Sequence, residues 1–188
     1  KCLASLAGLA PVSVSPRAWE VMEGNGGRTH GWYLNLRTWR EFALSWSSWH
    51  PYPTTLPTGL FMALQASLRR ILAEGLEATY ARHREAAQTV RQGLARLGLT
   101  LFVPGEHMSP LITAVSAPTG LDLEELRRYL LQEWQVMVAG GLADLRGKVL
   151  RVGHMGRAAS VGYGGRFLEG VEAFLRVKGY EVPLPPDA

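Results

Sequence analysis

Lys148-Val149-Leu150-Arg151-Val152-Gly153-His154-Met155-Gly156 places one arginine inside a short apolar run. The run has the length of a strand, and alternation along it puts Arg151 on the same side as Val149 and Gly153. A guanidinium in apolar surroundings is costly unless it meets an anion. A bidentate arginine also suits a carboxylate. The stretch therefore predicts a carboxylate-binding arginine or, as the alternative, an arginine paired with a core carboxylate.

A second informative stretch, Tyr52-Pro53-Thr54-Thr55-Leu56-Pro57, leads into an amphipathic helix. Its prolines and hydroxyls predict an irregular loop, and binding residues are frequent in such loops. The hydroxyls of Tyr52 and Thr55 can bond a phosphate oxygen without carrying charge. The alternative is a loop aromatic followed by a threonine helix cap. The two interpretations are compatible, because a cap position also has free backbone N–H groups.

The order of the predicted elements indicates an α/β protein with a domain boundary near Glu74-Gly75. Residues 10–15 predict a buried strand, Ser15 and Asn35 predict helix caps, and a long helix is expected from about Thr58. Beyond the boundary the predicted elements are a helix to Gly98, strands at 100–103, 111–117, 136–138 and 149–152, a helix opened by a capping box of Asp122 and Glu125, and a final helix.

Composition limits the possible functions of the 188 residues. The chain is 47% apolar and 19% charged, which is typical of a globular protein, and it lacks the 18-residue apolar run of a membrane span. One cysteine, Cys2, excludes a disulfide framework and a cysteine-cluster metal site, and it favours a cytoplasmic location. The histidines show no metal spacing. The net charge of +4 comes mainly from arginines beside glutamates, as at 82–85 and 124–128, so solvated helix faces are expected and not a nucleic-acid surface.

With Lys1-Cys2-Leu3 at the start, these stretches resemble the class V aminotransferases, specifically the alanine/serine–glyoxylate branch. The resemblance runs from Lys1 to about Tyr180 and covers the second half of such an enzyme, so we expect the upstream half of the active site to be missing from this chain. It implies an α/β fold of the fold-type I class that depends on pyridoxal 5'-phosphate. Residues 1–74 would end the large cofactor-binding domain, and residues 75–188 would form the small C-terminal domain.

The resemblance also implies roles for individual residues. Lys1 matches the catalytic Schiff-base lysine that binds the cofactor, and Arg151 matches the residue that holds the substrate carboxylate. Tyr52 and Thr55 match a Tyr-x-x-Thr pair that reaches the cofactor phosphate of the partner subunit, which implies a homodimer with shared active sites. The sequence departs from the family pattern at Leu6-Ala7-Gly8, where two prolines usually precede the glycine, and at Pro53-Thr54, where a histidine pair is usual.

The implied function is transamination from alanine or serine to glyoxylate or a similar keto acid, with no metal, nucleic acid or membrane as partner. A cysteine desulfurase-like lyase is an alternative within the same class of enzymes. That chemistry requires a cysteine on a mobile loop, and Cys2 beside Lys1 is badly placed for it. A truncated, non-catalytic fragment is the alternative outside enzymes.

Overall fold

The structure is a computed structural model that describes residues 2–25 and 31–181. The chain divides into two compact units. The smaller unit is Leu6–Gln65, and the larger unit combines Lys1–Ser5 with Ala66–Ala188. The expected boundary between residues 74 and 75 concerns the large and small domains of a complete enzyme, and it stays a prediction.

The smaller unit contains helix α1 (Pro16–Gly24), helix α2 (Leu36–Ser45) and the beginning of helix α3 (Thr58–Glu74). Both predicted caps are confirmed. Ser15 Oγ accepts the N–H of Ala18 at 3.2 Å, with a proline at the first helical position. Asn35 Oδ1 accepts the N–H of Arg37 at 3.1 Å. Each cap satisfies a backbone donor that the first turn of a helix leaves free.

The predicted buried strand at residues 10–15 is wrong. These residues have no regular secondary structure, and the Val12 side chain is 66% exposed. Pro11 lacks the N–H that a central strand must donate, which weakens any pairing at this position. An apolar run alone therefore does not make a strand here.

The larger unit contains four strands and, after the end of α3, three further helices among the described residues. The helices are α4 (Leu76–Arg96), α5 (Leu123–Trp134) and α6 (Val161–Val177). The strands are β1 (Thr100–Leu101), β2 (Ile112–Ser116), β3 (Ala139–Gly140) and β4 (Val149–Gly153), with short 3-10 turns at Gly105–His107, Ala143–Leu145 and Gly156–Ala158.

The four strands form one antiparallel sheet in the order β1-β2-β4-β3. Because β4 is internal, Arg151 is paired on both sides, with Ala114 of β2 and Ala139 of β3. The two ladders fix the backbone of Arg151. The predicted strand at 149–152 is thus confirmed as β4.

Helices α4, α5 and α6 share one hydrophobic core with the sheet, as expected for a small α/β domain. The core combines apolar side chains of all three helices with inward-facing residues of β2 and β4, among them Val90, Leu94, Val115, Leu126, Leu130, Leu150, Val152, Phe167, Val171 and Phe174. Such burial is the main favourable term for the fold. Within residues 2–25 and 31–181, no helix is both long and apolar enough to cross a membrane.

The two ends of helix α5 test the predicted capping box and the predicted strand at 136–138. Asp122 Oδ1 accepts the N–H groups of Glu124 and Glu125, so the N-cap is confirmed. The reciprocal half of the capping box is not formed, because the Glu125 carboxylate binds Lys178 instead. At the other end the N–H of Val136 bonds to the carbonyl of Leu130 and closes the helix. The predicted strand at 136–138 is wrong, because these residues have no regular secondary structure and β3 comprises Ala139–Gly140.

Candidate functional site

The Arg151 side chain is half-buried on β4 and is held by a backbone carbonyl. Its Nε donates to the carbonyl oxygen of Gly140 at 2.8 Å. No carboxylate forms an ion pair with it among the described residues, so the alternative of a core carboxylate partner does not hold there. With Nε engaged, the two Nη nitrogens remain as a planar pair of donors suited to a carboxylate.

A buried polar group lies just after Arg151 in the sequence. The His154 side chain is 2% exposed, and its Nε2 lies 2.8 Å from Oγ1 of Thr113, which also receives a hydrogen bond from Arg91. Burial lowers the pKa of His154, because the interior disfavours the charged imidazolium, and the nearby Arg91 lowers the pKa further. His154 is therefore buried just after the end of β4, where it is bonded to Thr113.

Tyr52 and Thr55 lie in an irregular loop that ends where α3 begins at Thr58. Thr55 is exposed, Tyr52 is half-buried, and neither hydroxyl bonds to another described residue. The helix starts three residues after Thr55, so Thr55 is not its cap. Both hydroxyls can therefore donate to an external anion.

A row of aromatic rings leads to this loop within the smaller unit. Phe42 stacks on Trp46 at 5.3 Å between ring centroids, and the row continues through Trp49 and His50 to Tyr52, whose ring centroid is 4.5 Å from that of His50. Trp32 Nε1 donates to the carbonyl of Pro53 at 3.0 Å. These contacts hold the Tyr52 ring and the turn beside it.

Lys1 lies outside the described residues, and its predicted role stays a prediction. The segment that follows it is described. The carbonyl of Ala4 accepts a hydrogen bond of 3.1 Å from Ser67 Oγ on α3. Cys2, Leu3 and Ala4 line a cavity of about 580 Å³ in the larger unit, together with Arg82 and His83. The Cys2 thiol is free and exposed.

The sequence analysis missed a polar network around Arg82. Arg82 binds the Glu74 carboxylate through two bonds, Nε to Oε1 at 2.6 Å and Nη2 to Oε2 at 2.9 Å. Its Nη1 donates to the carbonyls of Gly156 at 2.8 Å and Ala159 at 2.9 Å. The Arg82 hydrogen bonds are the largest cause that lowers the pKa of Glu74 to about 2, and Thr79 Oγ1 contributes a further bond.

His83 completes this network through a fixed tautomer. Its Nε2 accepts the N–H of Gly156 at 3.0 Å, so the proton must reside on Nδ1, which lies 2.7 Å from the carbonyl of Thr79. Only the neutral ring satisfies both contacts, since an imidazolium has no acceptor at Nε2. The backbone of Gly156 is thus held at its N–H by His83 and at its carbonyl by Arg82.

The expectation that residues 82–85 form a solvated helix face is wrong for Arg82 and His83. His83 is 6% exposed, and its spacing to Ala87, Val90 and Leu94 places it on the buried face of α4. That helical periodicity was the signal in the sequence. No periodicity indicates the Glu74–Arg82 pair, because its partners lie on either side of a helix break.

Known proteins resemble most of this chain. No protein-family model matches it. It is 39% identical over 149 residues to the small subunit of a soluble hydrogenase from Synechococcus. The aligned residues make up 79% of this chain and 37% of that relative. It is 34% identical over 160 residues to pyridoxamine–pyruvate transaminase from Mesorhizobium japonicum, which covers 85% of the chain and 40% of the relative.

A solved structure supports the same relationship. The crystal structure of ureidoglycine–glyoxylate aminotransferase from Bacillus subtilis superimposes with a TM-score of 0.87 at 29% identity. The match covers 97% of this chain and 46% of that one, so the predicted fold class is confirmed. The chain spans less than half the length of each of these three proteins.

Proposed function

Because the chain belongs to the class V aminotransferases, we propose that its protein moves an amino group from alanine or serine to glyoxylate or a similar keto acid, with pyridoxal 5'-phosphate as cofactor. The name of the Mesorhizobium relative supports transamination, and the name of the Bacillus structure supports glyoxylate as the acceptor. The hydrogenase name belongs to its own protein, and no contact among the described residues favours that activity here.

One observation carries the proposal, namely the environment of Arg151. Two ladders fix its backbone, the Gly140 carbonyl holds its Nε, and its Nη pair has no carboxylate partner among the described residues. A half-buried guanidinium of this kind is stabilised by a ligand carboxylate. Amino acids and keto acids share that group, so one arginine serves both donor and acceptor.

The described residues that the family pattern assigns to the cofactor fit its phosphate. Tyr52 and Thr55 offer two hydroxyl donors that bond to no other described residue, and the row of aromatic rings holds Tyr52 in place. A phosphate dianion is stabilised by such donors. When bound, the cofactor supplies the electron sink that lets an amino group leave one substrate and enter the other. Lys1 would bind the cofactor and shuttle the proton at the substrate α-carbon.

We also propose a homodimer in which Tyr52 and Thr55 serve the partner's cofactor. None of the described residues among 6–65 is buried, and large apolar side chains of this unit are exposed, including Trp32, Tyr33, Leu34, Leu44 and Trp49. Such apolar area is typical of surfaces that another chain covers. A cytoplasmic location is part of the proposal and rests on the single cysteine.

Subunit mixing tests the dimer. A Tyr52→Phe/Thr55→Ala protomer is combined with a Lys1→Ala protomer. If the hydroxyls cross the interface, one site of the heterodimer carries both lesions and the other carries none, so about half of the wild-type activity per dimer is expected. Each site keeps a lesion if the hydroxyls serve their own subunit, and recovery of no activity would therefore contradict the shared site.

The desulfurase-like and non-catalytic alternatives are not favoured, since transaminase relatives match most of the chain and Cys2 directly follows Lys1 in the sequence. The proposed function is tested by supplying the protein, expressed from its complete gene, with alanine and glyoxylate. Equal amounts of pyruvate and glycine are expected. Sulfide release from cysteine without pyruvate or glycine formation would favour the lyase instead.

A further inference from the structure

Arg82 connects three separate parts of the larger unit. It binds Glu74, the last residue of α3, through a two-bond ion pair, and it belongs itself to α4. Its remaining Nη1 holds the Gly156 and Ala159 carbonyls in the turn formed by residues 153–160, which we call the 153–160 turn. All three guanidinium nitrogens are therefore engaged.

The joint that Arg82 spans contains a single residue outside the two helices. Gly75 alone separates α3 from α4, and its φ of +88° lies in the region that favours glycine. A Cβ built at Gly75 would meet no atom within 4 Å, so the space beside this residue is open. The Glu74–Arg82 pair, together with the bond from Thr79 Oγ1 to Glu74, thus ties one side of the break to the other.

Each side of this joint continues toward one residue of the proposed site. On the α3 side, Ser67 holds the carbonyl of Ala4, three residues after Lys1 in the sequence. On the other side, the 153–160 turn begins at the last residue of β4, the strand that carries Arg151. A path of direct contacts thus runs from the segment after Lys1, through α3 and Arg82, to the strand of Arg151.

We propose that Arg82 is a positioning residue that sets the spacing between the segment of residues 2–4 and the strand of Arg151, and thereby favours α-amino acids over β-amino acids. This inference rests on the proposed function. An α-amino acid must place its amine at Lys1 and its carboxylate at Arg151. A β-amino acid separates the same two groups by one more methylene, or about 1.5 Å.

The cost of a wrong spacing is large enough to measure. A misplacement of about 1 Å between reacting groups can reduce the rate roughly 100-fold. A looser joint no longer holds the spacing that the α-amino acid needs, so it lowers kcat/KM for the α-amino acid. It also allows the wider spacing that the β-amino acid needs, so it raises kcat/KM for the β-amino acid relative to the α-amino acid. The ratio of kcat/KM for alanine to that for β-alanine reports the spacing, whereas general damage to the fold lowers both values together.

His83 offers a second contact on the same turn. It accepts the Gly156 N–H, and Gly156 has a φ of +62°, which glycine adopts without strain. An asparagine side chain extends about as far as Nδ1 of His83, so it is too short to reach the Gly156 N–H. A glutamine side chain extends about as far as Nε2, so its amide oxygen can accept the Gly156 N–H. His83→Asn is thus expected to loosen the turn and His83→Gln to preserve it.

The test compares Arg82→Lys with Arg176→Lys in the protein expressed from its complete gene. Arg176 also binds a glutamate, Glu172, but both lie on α6 and connect no separate elements. Lysine keeps the charge and cannot bind Glu74 and two carbonyls together. We expect the alanine to β-alanine ratio to fall at least tenfold in Arg82→Lys and to stay at the wild-type value in Arg176→Lys.

Hydrogen exchange measured by mass spectrometry follows the turn independently of activity. Peptides covering residues 153–160 should exchange faster in Arg82→Lys and His83→Asn than in the wild type, His83→Gln or Arg176→Lys. If the wild type is active and Arg82→Lys leaves the alanine to β-alanine ratio unchanged, for example because both kcat/KM values fall equally, the role of Arg82 is overturned while the proposed function stands. Unchanged exchange of the turn would overturn it as well. A wild type that transaminates neither amino acid would instead overturn the proposed function.

Discussion

Replacement of Arg151 by lysine separates its proposed role in binding from a role in folding. The wild-type guanidinium donates its Nε to Gly140 and leaves both Nη nitrogens without a partner among the described residues. Lysine has one nitrogen on a flexible stem, so it keeps the charge and loses the planar pair of donors. The variant is expected to impair both half-reactions, because donor and acceptor each present a carboxylate.

The size of the effect follows from the bonds that are lost. A hydrogen bond to a charged group contributes about 1.5–3 kcal/mol. Loss of one of the two Nη bonds therefore lowers kcat/KM by roughly 10- to 160-fold. The substitution keeps the backbone of residue 151 paired with β2, so β4 remains in the sheet. Because the fold is kept, cofactor binding should be unchanged.

The assay measures kcat/KM for alanine, for glyoxylate and for an amine that has no carboxylate. Turnover of that amine should be poor in the wild type and should hardly change in the variant. Arg176→Lys is the matched control, because Arg176 binds Glu172 on the surface of α6, where an exposed pair contributes little. If Arg151→Lys reduces the activity on the amine as much as on alanine, Arg151 supports the fold and does not hold the substrate.

Two further predictions concern stability. Gly170→Ala and Gly165→Ala place the same methyl group on α6. At Gly170 the methyl group would lie 2.7 Å from Leu130 Cδ2, so the free energy of unfolding should fall by about 1–3 kcal/mol. At Gly165 the methyl group meets no atom within 4 Å, so the free energy of unfolding should rise by about 0.5–1 kcal/mol. Urea unfolding that ranks the two variants in the opposite order would contradict the α5–α6 packing. The bonds from Arg82 are the largest cause that lowers the pKa of Glu74 from 4.5 to about 2. The ionised Glu74 carboxylate therefore stabilises the fold above pH 4.5, and this contribution is lost as the pH falls toward 2. Glu74→Gln should therefore be less stable than wild type at pH 7, with a smaller difference at pH 3, and a difference independent of pH would refute the ion pair.

Local signals in the sequence predicted the elements that depend on neighbouring residues. Ser15, Asn35 and Asp122 cap their helices because each cap involves only the next three residues. The apolar run around Arg151 is a strand in the centre of the sheet, as its alternation indicates. These features need no information about the rest of the fold.

Features that depend on distant partners were missed or misplaced. The run at residues 10–15 is apolar but has no strand to pair with among the described residues. Residues 136–138 are likewise not a strand, and β3 lies at residues 139–140. The Arg82 network depends on a turn 74 residues away. In the sequence, Arg82 looks like any arginine of a solvated helix. Only the folded chain shows that it meets two backbone carbonyls.

Borohydride reduction followed by peptide mapping tests the central claim most directly, namely that this chain carries the cofactor lysine and the substrate arginine of one transaminase site. Reduction fixes a lysine-bound cofactor as a stable pyridoxyl group. Applied to the active protein expressed from its complete gene, it should place that group on Lys1, and prior addition of alanine should reduce the labelling. A pyridoxyl group on Lys148, Lys178 or a lysine outside this sequence would contradict the account.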